Sequence, residues 1–280
     1  MNQLQSLESY SFYLTVIAYF LAMMVYWIRM GSKNKAVGKV AAVLAVIGWA
    51  GNTITLITRT MLAHRLPLSN GYEFILTFCW ATVLILLYYE FRFKLKALGA
   101  FVMPVPFLLL AFIVMTMGAN ERIIHAIPPA LKSYWLTFHV ITAIFSYGGF
   151  AVSFGLAIMY LIKTQTGTNP NVGIVARFPE AEVLDELCYK VIIFAFSFLT
   201  LVIITGAIWA NYAWGTYWSW DPKETWSLIT WFIYAGYLHA RLMYDWKGKR
   251  AAWLAVFGFA AVLFTFFGVN YLLPGLHSYA

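Results

Sequence analysis

Hydrophobic residues in this chain come in long unbroken runs, not in strict alternation or narrow amphipathic stripes. Eight runs stand out, roughly residues 10–29, 37–58, 72–91, 97–117, 133–162, 187–209, 224–244 and 251–272. A hydrocarbon core of about 30 Å needs about 20 apolar residues to cross it as a helix. Lipid offers no partner for backbone N–H and C=O groups, so only helices and closed barrels span it, and continuous runs of this length are helices. The pattern predicts an all-α integral membrane protein with about eight transmembrane helices, forming one polytopic membrane domain over residues 1–280. The longest segment between runs, 163–186, carries Gly, Asn and Pro and an acidic group, Glu180, Glu182, Asp185 and Glu186. It reads as a solvated linker with a short amphipathic lead into the sixth helix.

Two helix starts are written in the sequence. Asn70-Gly-Tyr-Glu73 fits a capping box, with Asn as N-cap and Glu at the third helical position. Asp221-Pro-Lys-Glu224 fits one better, because proline at the first helical position is already set for the helix.

Composition narrows the picture. The chain is 62% hydrophobic and only 11% charged, against roughly 25% charged in soluble domains, so a soluble globular enzyme is excluded. The net charge of +8 falls in short clusters between the runs. It is therefore topology information and not a nucleic-acid footprint; no nucleic-acid partner is expected. Fourteen of the 19 basic residues fall in one alternating set of segments: Arg29 to Lys39, Arg92 to Lys96, Lys163 to Lys190, and Arg241 to Arg250. The other set holds Arg59, Arg65, Arg122, Lys132 and Lys223. The positive-inside rule places the first set in the cytoplasm, with both termini outside. Cys79 and Cys188 lie far apart in apolar surroundings, which supports neither a disulfide framework nor a zinc or dithiol motif. No basic region precedes the first run, so no cleaved signal peptide is expected.

The chemistry concentrates in Trp214–Trp231, WGTYWSWDPKETWSLITW, between the sixth and seventh runs and hence outside. It holds five of the twelve tryptophans. Two histidines belong to the same side: His139, near the outer end of the fifth span, and His277, just beyond the eighth. His239 differs. Fifteen residues after Glu224 on one helix, it lies about 22 Å deeper, in the inner half of the membrane. Ionisable residues within spans are functional-site hypotheses by default. Two imidazoles beside a flat aromatic bed suit haem, whose iron takes nitrogen ligands on both faces. An interfacial aromatic belt and a quinol or lipid pocket remain open at this point. Capping accounts for at least part of the role of Asp221 and Glu224. His64 and His125 have no evident task.

Together these motifs resemble a known family. The tryptophan segment followed by YLHAR resembles the "WWD" signature of haem-handling proteins, in the form found in the CcsA (ResC) family of system II cytochrome c biogenesis. SYWLTFHV around His139, GVNYLLPGLHSY around His277 and RLPLSNGYEF from Arg65 resemble further stretches of that family. The resemblance runs from about residue 65 to the C-terminus. It implies a cytochrome c synthase subunit, not a self-sufficient enzyme, that moves haem b outward and presents it for attachment to the CxxCH thiols of an apocytochrome c. A CcsB/ResB-like membrane subunit would be its partner, and a thiol-reductant pathway would keep the client cysteines reduced. The setting would be the cytoplasmic (inner) membrane with a periplasmic active face, or the thylakoid lumen in a plastid. Residue by residue, it makes His139 and His277 axial ligands of an external haem and His239 one ligand of a haem within the membrane. Trp214, Trp218, Trp220, Asp221 and Trp226 would form the haem platform. Two alternatives are a CcmC-like protein that loads haem onto a chaperone, and a haem-free transporter or quinol-linked subunit.

Overall fold

A computed structural model of the chain describes residues 3–117, 122–165, 173–273 and 275. Those residues are overwhelmingly helical, with no strand among them. They form two compact units, residues 1–125 with 166–179, and 126–165 with 180–280.

The first unit holds α1 (Gln3–Gly31), α2 (Lys35–Ala63), α3 (Gly71–Phe93), the single turn α4 (Gly99–Val102) and α5 (Pro104–Thr116). α1 and α2 pack as an antiparallel pair along their length, with α3 against α2 and α5. Close approach depends on small residues: a Cβ at Gly48 would lie 2.4 Å from the Tyr19 ring. Such small-residue contacts are how helices associate where no hydrophobic drive exists between them. Asn70 caps α3 as expected, accepting from the Glu73 N–H at 2.8 Å. The reciprocal half of that box is absent. Glu73 accepts instead from the Ser69 N–H at 2.9 Å and pairs with Arg59 and Arg65 at 2.9 and 2.7 Å.

Arg59 departs from the sequence reading. It is not an outer-loop residue but lies in the last turns of α2, 1% exposed, bound to Glu8 and Glu73. Its partners come from 51 residues before and 14 after it, so local sequence gave no sign of the pairing. His64 closes α2 in the left-handed conformation, φ 52°, which gives that histidine a structural place.

The second unit holds α6 (Tyr134–Lys163), α7 (Ala181–Trp214), α8 (Pro222–Tyr244) and α9 (Lys249–Leu263), which passes through a π-turn (Phe264–Gly268) into α10 (Val269–Leu272). α6 and α7 pair extensively, α9 packs on α6 and α8, and α8 lies against α7. Aromatic contacts fasten α8: Tyr234 stacks on Phe150 at 3.6 Å, and Trp231 donates to Thr200 Oγ1 at 3.0 Å. α7 begins at Ala181, so Glu182, Asp185 and Glu186 form the amphipathic lead into this helix.

All eight predicted runs lie in helices. Among the described residues, seven helical stretches are long and apolar enough to cross a membrane, which makes this a multi-pass, all-α integral membrane protein. The remaining run, α8, falls outside that set; His239 and Arg241, together with its Trp, Tyr, Ser and Thr residues, lower its hydropathy.

Candidate functional site

The tryptophan segment joins two helix ends, and each end is closed by a specific device. α7 stops at Gly215, whose φ of +78° would strain any side chain and whose N–H returns to the Asn211 carbonyl at 2.9 Å. α8 starts under a complete capping box. Asp221 accepts from the Lys223 N–H at 2.9 Å, and Glu224 accepts from the Asp221 N–H at 3.2 Å and the Ser219 N–H at 2.8 Å. Glu224 therefore draws the loop back onto the helix end. Asp221 is 6% exposed. Burial lowers the Lys223 ammonium to about 8, against the opposing pull of Asp221.

The tryptophans divide by role. Trp226, at the start of the second turn of α8, packs on Phe264 at 4.2 Å, where the π-turn begins. Trp214 packs on Trp209 at 4.9 Å. Trp220 is 70% exposed and has a left-handed backbone, φ 60°. For an aromatic residue that conformation costs about 1–3 kcal/mol and is held by its surroundings. Trp218 meets Trp220 edge-on at 5.6 Å, and its buried Nε1–H has no hydrogen-bond partner among the described residues. A buried orphan donor costs about 1–3 kcal/mol.

His139 lies in the second turn of α6. Its Nδ1 is 2.9 Å from the Val202 carbonyl on α7. A carbonyl oxygen only accepts, so Nδ1 carries the proton and Nε2 the lone pair. The ring stacks on Trp209 at 5.8 Å and 27°, and Trp209 in turn contacts Trp214. The ring fits only because residue 206 is glycine: a Cβ there would lie 2.8 Å from the imidazole. Val202, Gly206 and Trp209 escaped the sequence reading. The visible signal was a lone glycine one turn before a tryptophan in an otherwise bulky helix.

His239 is exposed on the C-terminal part of α8, edge-on to Tyr244 at 5.7 Å. Two residues on, Arg241 turns inward. It pairs with Asp185 at 2.7 Å and sits over the Tyr189 ring at 4.5 Å, while Asp185 also accepts from the Gly248 N–H at 3.1 Å. This cluster fixes the helix end that carries His239.

His277 lies outside the described residues. Gly275 does not, and it rests against the cap of α8: a Cβ on it would lie 2.5 Å from Asp221 Oδ2 and 3.2 Å from Pro222. Of the cations in the second alternating set, Arg65 and Arg122 belong to the first unit. Arg65 is bound to Glu73, and Arg122 to the carbonyls of Ile113 and Met117. Lys223 belongs to the second unit, beside Asp221.

A helical membrane protein with a capped, tryptophan-rich loop and a tautomer-locked histidine beside it defines a narrow class. A family model described as cytochrome C assembly protein matches residues 68–277. The chain is 38% identical over 288 residues to a protein named cytochrome c biogenesis protein CcsA from Guillardia theta, covering 95% of this chain and 94% of that one. It is 34% identical over 320 residues to the CcsA of Gloeobacter violaceus, with 94% of each covered. Among solved structures it resembles cytochrome c heme lyase CcmF with a TM-score of 0.72 at 16% identity, spanning 95% of this chain but 47% of that one. At that identity the likeness concerns the fold alone. The chain belongs to the cytochrome c assembly protein family and, within it, to the CcsA proteins of cytochrome c biogenesis.

Proposed function

We propose that this protein carries haem b as its cargo, moves it from the cytoplasmic to the outer face of the membrane, and presents it there for attachment to the CxxCH thiols of apocytochrome c. It does so as one polytopic domain of eight spans with both termini outside, in a complex with a CcsB/ResB-like subunit. A separate thiol-reductant pathway keeps the client cysteines reduced. The cell's inner membrane, or a thylakoid membrane in a plastid, is its setting.

One observation carries this reading. The Nδ1–H of His139 is held on the Val202 carbonyl, which turns Nε2 into the coordinating nitrogen, and the ring is wedged between Gly206 and Trp209. A hydrogen bond on the far ring nitrogen is the usual way a ligating histidine is oriented. Trp209, Trp214, Trp218, Trp220 and Trp226 extend the aromatic surface from that point. His277 follows Gly275 by two residues, a reach of about 7 Å of chain, and Gly275 lies on Asp221. That supports His277 as the second axial ligand, opposite His139. Asp221 keeps the platform in place and is not a proton carrier. Fixing the porphyrin edge in one pose supplies orientation, the largest help the protein can give to thioether formation. His239, exposed on its helix, suits one ligand of a haem within the membrane, the other coming from the partner subunit.

The test is a visible spectrum of the purified protein with its partner from haem-replete cells. A ferrous bis-imidazole spectrum is expected. A colourless complex would overturn the proposal.

A further inference from the structure

Apart from the tryptophan loop, a second feature is built for a ligand. In the first unit, a cavity of about 160 Å³ is lined by Arg29, Met30, Lys94, Lys96, Ala97 and Arg177. Four of the six are cations. They meet where α1 and α3 end, and helix C-termini call for positive charge, so capping is the explanation to be weighed first. It accounts for Arg177, which donates to the carbonyls of Arg29, Gly31 and Ser32. It accounts for one end of Arg29, whose Nη1 donates to the Ser32 carbonyl at 2.6 Å.

Capping leaves a surplus. The Nε–H of Arg29 is buried with no hydrogen-bond partner among the described residues, a costly state for an ionised donor. Lys94 ends α3 at φ 57°, a backbone that glycine or asparagine would adopt more easily, and it lines the cavity. Lys96 is within electrostatic range of one acid, Glu90, which also accepts from the Tyr26 hydroxyl. Gly38 of α2 leaves room for these side chains, since a Cβ on it would come within 3.1 Å of Arg29 Nε and 3.5 Å of Lys96.

The ligand must be anionic and small. The cavity has room for about five waters by volume, well short of the roughly 300–1,000 Å³ pockets of larger cofactors, so it is no haem site. Residues next to the lining ones are apolar and exposed, among them Trp27, Ile28 and Phe93, which offers acyl chains a surface beside the charge. Basic pockets among membrane helices recognise lipid phosphates. We propose that this cavity binds the phosphate group of an anionic phospholipid, with the acyl chains lying along the exposed ends of α1 and α3.

The test uses the full-length protein in detergent and native mass spectrometry with phosphatidylglycerol, phosphatidylcholine and inorganic phosphate. Phosphatidylglycerol should bind well above phosphatidylcholine, and inorganic phosphate should compete only weakly. At about 1 kcal/mol per basic residue, Lys94→Gln with Lys96→Gln should weaken phosphatidylglycerol about 30-fold, while the paired Lys→Arg variant keeps it. Equal binding of the two lipids by the unmodified protein overturns the proposal, whatever the variants do. So does a folded Gln variant that retains the affinity. Displacement by inorganic phosphate at matched concentration assigns the site to a free anion and overturns the lipid.

Discussion

At the scale of single residues, the imidazole of His139, the proposed axial ligand, is set in place by very little sequence. Its placement rests on one carbonyl and one missing methyl group. Gly206→Ala would put a Cβ 2.8 Å from the ring, which must tilt off Trp209 and give up its hydrogen bond. Losing that bond should weaken external haem about fivefold, read as reduced haem absorbance at an unchanged level of folded protein. His139→Gly should go further and abolish cytochrome c maturation, with added imidazole restoring part of it. Full maturation in His139→Gly without imidazole would remove that histidine from the site. Asp221 shows the converse. Its buried carboxylate makes the cap of α8, and Gly275 lies against it.

At the scale of elements, the sequence was legible wherever one element carries its own instructions. The capping box at Asp221 needed only four consecutive residues, and the membrane helices only their length and apolarity. What needed two elements at once was hidden. Arg59 looked like a loop cation because Glu8 and Glu73 are remote in the chain. Asp185 looked like a solvated acid because Arg241 is 56 residues away. Gly206 acquired meaning only with His139 opposite it. The Asp185–Arg241 pair carries a prediction at this scale. Asp185→Ala would leave the buried Arg241 without its closest carboxylate, a loss of about 3–5 kcal/mol. The expected result is a lower unfolding temperature, with frayed helix ends near His239 seen as faster hydrogen exchange there. Unchanged stability would show that Glu186, 3.6 Å from Arg241, suffices.

At the scale of the whole molecule, the distribution of charge sets the reading of sidedness. The excess of basic residues in one alternating set of segments, fourteen against five, predicts that the tryptophan loop lies outside, and the proposed haem route runs inward-to-outward only if that holds. A single cysteine introduced at exposed Tyr217, in a background with Cys79 and Cys188 replaced by serine, should react with a membrane-impermeant maleimide from the outer side of intact cells. Protection there, with labelling only in inverted vesicles, would reverse the topology and with it the direction of transport.

The π-turn at Phe264–Gly268, closed by the Val269 N–H on the Phe264 carbonyl, has a consequence of register. It gives its helix one residue more than regular pitch requires. Everything downstream is thereby rotated by about 100° relative to a regular helix. That extra residue works as a fixed angular offset, and it decides which way the C-terminal segment leaves α10. Without it, Gly275 would be aimed away from Asp221, against which it now rests.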